Sequence, residues 1–286
     1  MKRALSLILA LNLLLTCCGA FAVDLDYSTY TDEELAEIIQ GAQTELQSRY
    51  DAARPTDSSQ FIYSSNGQEI QINSYIGTDA DVVIPAEIDG LPVTRVKEGA
   101  FRYNETIRSV VIPDTVTVID TDTFSGCPNL ASVIFPKHLR YISSFAFSYS
   151  LSGILNLPSS LEVVSAYAFS GAHITGLIIN SNLEDNDGGK GAFSDLKALK
   201  FVYIREGCNP TFTYEAFSEC PEIEIVIIPA SATDIPYYLF EGSERAKIIA
   251  PAGSYAASWA MEHFIPLDTE NYASYVEEYN ALYPIP

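Results

Sequence analysis

A small residue followed by phenylalanine recurs through the middle of this chain. The pairs are Ala100-Phe101, Thr123-Phe124, Ala146-Phe147, Ala168-Phe169, Ala192-Phe193 and Ala216-Phe217, with Leu239-Phe240 closing the series. The phenylalanines are spaced 23, 23, 22, 24, 24 and 23 residues apart. A second series is interlocked with the first. Ten or eleven residues after most pairs comes a short, largely β-branched run: 110–112, 133–135, 155–157, 177–179, 202–204, 226–228 and 248–250. Proline follows five of these runs directly, as Pro113, Pro136, Pro158, Pro229 and Pro251, and Asn180 and Arg205 take its place after the other two. Two series locked to one period define a repeated structural unit.

The period dictates the architecture. A strand of three or four residues cannot hold itself together, but one strand per repeat, stacked on its neighbours, makes a parallel ladder at about 4.8 Å spacing. Proline just past the strand ends the pairing, because it has no N–H to donate. The chain must then travel back to start the next strand. On that return Val116 and Ile119, Leu139 and Ile142, and Leu161 and Val164 recur three apart, a spacing that predicts a turn of helix or 3₁₀ with both side chains inward. Each coil leaves an apolar edge that only stacking buries, which is the logic of a solenoid.

The segments "VVIPDTVTVIDTDTFSGCPNLASVIFP" at 110–136 and "LNLPSSLEVVSAYAFSGAHITGLII" at 155–179 resemble the BspA-type bacterial leucine-rich repeats. The lead-in at 82–101 and the closing stretch at 250–267 are similar to the opening and closing units of that family. The resemblance spans roughly 61–267. It implies an α/β leucine-rich-repeat solenoid: a right-handed curved coil with a parallel β-ladder and about seven repeats of 22–25 residues. It also implies a secreted or cell-surface protein of bacteria.

The ends read differently. Lys2-Arg3, the apolar stretch from Ala4 to Leu15 and Ala20-Phe21-Ala22 fit an export signal over 1–22, cleaved before Val23. Cys17 and Cys18 offer an alternative, a lipid-modified N-terminus, although the residues before them match a lipobox poorly. Residues 23–59 read as a helix over 31–50 followed by a linker. Thr31 and Glu34 form a capping box, and Leu35, Ile38, Ile39, Ala42 and Leu46 share one face. The solenoid occupies 60–267 and begins with a capping hairpin over 61–76 that turns near Asn66-Gly67. A short helix at 254–263 brings Tyr255, Trp259 and Phe264 to the last coil. The tail at 268–286 carries Tyr272, Tyr275 and Tyr279 at helical spacing and is expected on the C-terminal cap.

Charge and chemistry narrow the function. There are 37 acidic side chains against 16 lysines and arginines, a net charge of −21, and no basic patch for nucleic acid or anionic lipid. Beyond the signal, Cys127, Cys208 and Cys220 are odd in number. Cys127 and Cys220 hold equivalent places several coils apart, so buried free thiols are favoured over a disulfide. The three histidines are dispersed without zinc spacing, and no nucleophile, phosphate or dinucleotide motif is present. The acidic segment at 184–191 lacks the EF-hand positions and reads as an ordinary loop with calcium as the alternative. No cofactor is called for.

Function then rests on the ladder's outward face. Side chains alternate along a strand. If Ile112, Phe135, Leu157, Ile179, Ile204, Ile228 and Ala250 point inward, one outward column runs through Val111, Ile134, Asn156, Ile178, Tyr203, Ile227 and Ile249. The next includes Ile154, Phe201 and Ile225. A contiguous apolar stripe of this kind marks a partner site when it is exposed. The expected partner-binding residues are therefore Val111, Ile134, Ile154, Ile178, Phe201, Tyr203, Ile225 and Ile227, with Phe201 and Tyr203 as anchors. The reading is a non-enzymatic, exported recognition or adhesion module for a protein or a host or matrix surface. A self-associating envelope component is the alternative, and carbohydrate binding or hydrolysis comes third.

Overall fold

A computed structural model describes residues 54–186 and 191–285. The signal and the 31–50 helix expected from the sequence lie outside them, as do residues 187–190 of the acidic loop. The chain divides into two compact units, one of residues 55–276 with 285–286, the other of residues 1–54 and 277–284.

The first unit is a stack of about eight coils. It opens with an antiparallel hairpin of β1 (Phe61–Ser65) and β2 (Ile70–Tyr75), turning through Asn66 and Gly67. After β3 (Asp81–Val83), the short β4 (Glu87–Ile88) folds back on β5 (Leu91–Val96). Each following coil supplies a ladder strand and a return strand. These are β6 (Ser109–Val111) and β7 (Val118–Ile119), β8 (Ser132–Ile134) and β9 (Tyr141–Ile142), β10 (Ser152–Asn156) and β11 (Val163–Ser165), and β12 (His173–Ile179) and β13 (Glu184–Asn186). The ladder then continues through β14 (Phe201–Ile204), β15 (Ile225–Ile227) and β16 (Lys247–Ile249). Helix α1 (Tyr255–Glu262), β17 (Leu267–Asp268) and α2 (Tyr272–Leu282) complete the order.

Pairing is sequential and parallel, as one strand per repeat requires. The ladder strands form a three-stranded sheet, β3-β6-β8, and a six-stranded sheet, β10-β12-β14-β15-β16-β17. The return strands build a separate sheet that starts from the hairpin and runs β1-β2-β5-β7-β9-β11-β13. Among the described residues β8 and β10 do not pair, so the ladder is interrupted there while the return sheet is continuous.

The recurring phenylalanines hold the coils together. From Tyr75 through Phe101, Phe124, Phe147, Phe169, Phe193 and Phe217 to Phe240, the rings stack face to face at centroid distances of 4.8–5.7 Å. That is one ring per coil, a little above the strand spacing. The backbone repeats with them. The Phe124 N–H donates to the Ala146 carbonyl at 2.8 Å, and the Phe147 N–H to the Ala168 carbonyl at 2.7 Å. Both ends of the spine are closed by aromatics: Phe61 on Tyr75, and Trp259 edge-on to Phe240 at 6.2 Å. Helix α1 positions Trp259 and is capped by Ser254, whose hydroxyl accepts from the Ala257 N–H. The other two residues expected at this cap are not in it: Tyr255 is exposed and Phe264 is 95 % exposed.

The returns differ from the expected helical turn. After each ladder proline the chain makes a single turn, with the Val116 N–H on the Pro113 carbonyl and the Leu139 N–H on that of Pro136, and then extends as β7 or β9. Val116 and Ile119 are both buried, one closing the turn and the other pointing in from the strand. Extended backbone advances about 3.3 Å per residue against 1.5 Å for helix. A return this short crosses the coil only when it is extended.

The three cysteines after the signal are free and buried. Burial pushes the Cys127 thiol up to about 11 and the Cys220 thiol to about 12. In the second unit the described residues are Arg54 and 277–284, and the buried ring of Tyr279, in α2, lies 5.8 Å from that of Tyr283 just past the helix.

Candidate binding surface on the ladder

Register places the outward columns where alternation puts them. Val83, Val111 and Ile134 align across β3, β6 and β8, and Ile178, Tyr203, Ile227 and Ile249 align across β12 to β16. The neighbouring column runs Ile154, Gly176, Phe201, Ile225 and Lys247. The opposite side chains of these strands, including Val110, Val202, Val226 and Ile248, are buried in the coil interior.

Exposure divides the surface in two. Val111, Ile134, Ile154 and Ile225 are half-buried. Ile178, Tyr203 and Ile227 have no exposed surface, and Phe201 is buried as well. None of these last four belongs to the continuous interior core, so they are covered from outside the coils. The stripe expected to be open is therefore open only in part, and both intended anchors are inaccessible.

Phe201 and Tyr203 each have an identifiable neighbour on this face. In β12 the residue beside Phe201 is Gly176, and a β-carbon there would collide with the Phe201 ring. At the start of α2 the Tyr272 hydroxyl donates to the Glu206 carboxylate. Burial, that bond and the nearby Tyr203 push its phenol well above the usual range. The Arg205 guanidinium stands 5.6 Å from the Tyr203 ring centre. Ahead of the helix, Asp268 accepts from the Lys247 Nζ at 2.8 Å and from Asn271, and these contacts hold its carboxyl down to about 2.

The two residues that replace the ladder proline form a polar string. The Asn180 amide donates to the Leu157 carbonyl at 2.6 Å and to the Asn156 side chain at 2.7 Å, and the Arg205 Nε donates to the Asn180 oxygen at 2.6 Å. These bonds tie three coils where the usual proline is missing.

The open part centres on the interruption between β8 and β10. Val133, Ile134 and Phe135 are all half-exposed, although Val133 and Phe135 are inward positions by alternation. Phe135 still touches the spine edge-on, at 5.7 Å from Phe147. The chain enters β10 through Leu151 at φ +65° and Gly153 at φ +86°, followed by a register shift. A left-handed leucine is uncommon and strained, and bulges of this kind re-aim side chains. Val133 and Phe135 remain packed against the core as alternation expects, although neither is fully buried.

The remaining chemistry is sparse. Among the described residues no three His, Cys, Asp or Glu side chains are grouped to hold a metal ion, and no helix is long and apolar enough to cross a membrane.

Sequential parallel coils, an extended return sheet and a stacked phenylalanine spine define a leucine-rich-repeat protein. The family model described as "BspA type Leucine rich repeat region" matches six copies over residues 94–209 and 154–247, just over half of the chain, and the chain belongs to this family. Proteins of the family are typically at the cell surface or secreted. Among solved structures it is similar to the leucine-rich repeat protein TpLRR of T. pallidum, with 27 % identity and a TM-score of 0.50 over 69 % of this chain and 82 % of that one. It is also similar to a leucine-rich repeat protein from Bacteroides ovatus, with 19 % identity and a TM-score of 0.48 over 70 % of this chain and 59 % of that one. No match is found among curated proteins.

Proposed function

We propose that this chain is an exported, non-enzymatic recognition module that binds a protein or a host or matrix surface through the open part of its ladder. The reading is carried by one observation. Val111, Ile134 and Ile154 are outward apolar side chains left partly exposed on three successive coils, at a strained interruption of an otherwise regular ladder. Apolar side chains left partly in water on adjoining coils mark partner contacts. The chain's net charge of −21 favours a neutral or basic partner. Ile225 adds a further partly exposed side chain on the ladder, whereas Ile178, Phe201, Tyr203 and Ile227 become available only when their covering is displaced.

The test is capture from an extracellular-matrix extract by the immobilised full chain, compared with the Ile134→Asp and Ile154→Asp variants. Retention that both substitutions abolish supports the reading; retention that neither changes refutes it. Sedimentation of the same proteins decides the self-associating alternative. A stable dimer dissolved by these substitutions would assign the ladder to a second copy.

A further inference from the structure

A second surface lies on the edge where each coil turns through its phenylalanine. The residue two positions after that phenylalanine is left-handed in every coil from Phe101 to Phe240. Glycine fills the position three times, at 126, 171 and 242, and Asp195 and Glu219 fill it twice. In the remaining two coils it is Tyr103 at φ +58° and Tyr149 at φ +55°. In the four coils from Phe101 to Phe169 the residue two positions before the phenylalanine is left-handed as well. Gly99 and Asp122 give way to Phe145 and Tyr167, both at φ +59°.

Stability does not explain these choices. A left-handed aromatic residue is strained relative to glycine, and burial does not compensate here: Tyr103 is 65 % exposed and Tyr149 62 %. A cost in both backbone and solvation, repeated on neighbouring coils of one edge, is the mark of a functional surface.

The rings are also held in place. A β-carbon on Gly126 would come within 2.5 Å of the Tyr103 ring, and one on Gly171 within 2.5 Å of the Tyr149 ring. Each tyrosine therefore lies against the glycine of the next coil, and the arrangement repeats two coils on, about 10 Å along the stack. In the coil of Tyr149 and the one after it, Phe145 and Tyr167 stack at 5.0 Å with planes 6° apart. The Arg102 guanidinium, paired with Asp122, donates to the Tyr103 hydroxyl at 2.9 Å and sets charged hydrogen-bonding groups beside the aromatic edge.

We propose that this turn edge, built on Tyr103, Phe145, Tyr149 and Tyr167, binds a neutral polysaccharide. The ring of a sugar has an apolar C–H face that packs on an aromatic surface and a rim of hydroxyls that bonds to tyrosine, arginine and carboxylate groups. A polymer of such rings matches aromatic contacts repeated at a fixed interval. The net charge of −21 opposes nucleic acids and acidic glycans. A protein partner calls instead for one continuous apolar centre, whereas here glycine and aspartate alternate with the rings.

The experiment is native electrophoresis of the full chain through gels cast with hydroxyethylcellulose, mannan, arabinogalactan or gelatin. At least one of the three polysaccharides should slow the wild type relative to a polymer-free gel. The Tyr103→Gly/Tyr149→Gly double variant, which copies the glycines of the same column, should lose that retardation and keep the wild-type thermal midpoint. Tyr103→Phe/Tyr149→Phe retains the rings and should still be slowed. If the double glycine variant does not fold, Tyr149→Asp, which copies Asp195, takes its place. Ile134→Asp should be slowed like the wild type, which separates this edge from the ladder site. No retardation by any polysaccharide, retardation unchanged without the rings, or retardation in gelatin alone would overturn the proposal.

Discussion

Phe147→Ala perturbs the spine at its middle. The ring is fully buried between Phe124 at 5.1 Å and Phe169 at 5.4 Å, with Phe135 edge-on at 5.7 Å. Truncation to alanine loses the transfer free energy of the ring and leaves a cavity, together about 3–5 kcal/mol. It also weakens the contact between coils on either side, and stability in a stacked array is a sum of coil and interface terms. Phe145→Ala is the internal comparison. That ring, two residues earlier, is 40 % exposed and touches only Tyr167 among the described rings, so its loss should cost about 1 kcal/mol or less. Urea unfolding read by far-UV circular dichroism measures both. The single tryptophan, Trp259 in the C-terminal cap, gives a second, local signal. In the wild type the two signals should share one transition. In Phe147→Ala the dichroism should shift to lower urea ahead of the tryptophan signal. A loss below about 1 kcal/mol for Phe147→Ala, or equal losses for the two variants, would remove Phe147 from the core and refute the stacked spine.

Further predictions concern the ladder and the thiols. Tyr203→Ser should destabilise the chain by about 3 kcal/mol in urea titration, because the ring is wholly covered; a change under about 0.5 kcal/mol would mean that it is a free surface residue. Asp268→Asn should cost about 1–2 kcal/mol near neutral pH, allowing for the partly exposed Lys247. The Asp268 carboxyl is depressed in the fold, so its contribution is full above its ordinary value near 3.8 and is lost as the pH falls toward 2. Parallel titrations of variant and wild type should therefore converge at low pH. A thiol reagent at pH 8 should leave Cys127 and Cys220 unmodified until the chain unfolds, since both thiols are buried and neutral. Their raised values also mean that stability falls as the pH climbs from about 9 toward 11 or 12.

Much of the architecture was legible because a repeat reports the same physics many times. The alanine–phenylalanine column fixed the spine, the prolines marked the strand ends, and alternation assigned Val111 and Ile134 to one column and Ile112 to the interior, in line with the register and with the burial of Ile112. The returns were misread because a pair such as Val116 and Ile119 fits both a helical turn and a turn followed by a strand. The choice is made by the distance the chain must cover, which a short window does not contain.

The covered face was misread for a different reason. Whether an outward residue meets water depends on chain remote in sequence, as Tyr272 near Tyr203 illustrates. A signal was nevertheless present. The runs at 177–179, 201–204 and 225–227 are apolar on both faces, as strands covered on both sides are, whereas β6 and β8 begin with serine. The aromatic residues of the turn edge were visible as letters only. Their left-handed backbone and their seats on Gly126 and Gly171 needed coordinates.

The most direct test of the stack is a distance. Nitroxide labels at Arg108→Cys and Glu224→Cys, in a chain whose native cysteines are changed to alanine, sit on exposed positions at the start of β6 and just before β15, five coils apart. Sequential stacking places them about 25–30 Å apart in one narrow distribution by pulsed electron spin resonance. A broad distribution, or a separation above about 40 Å, would contradict coils that follow one another at the spacing of a strand.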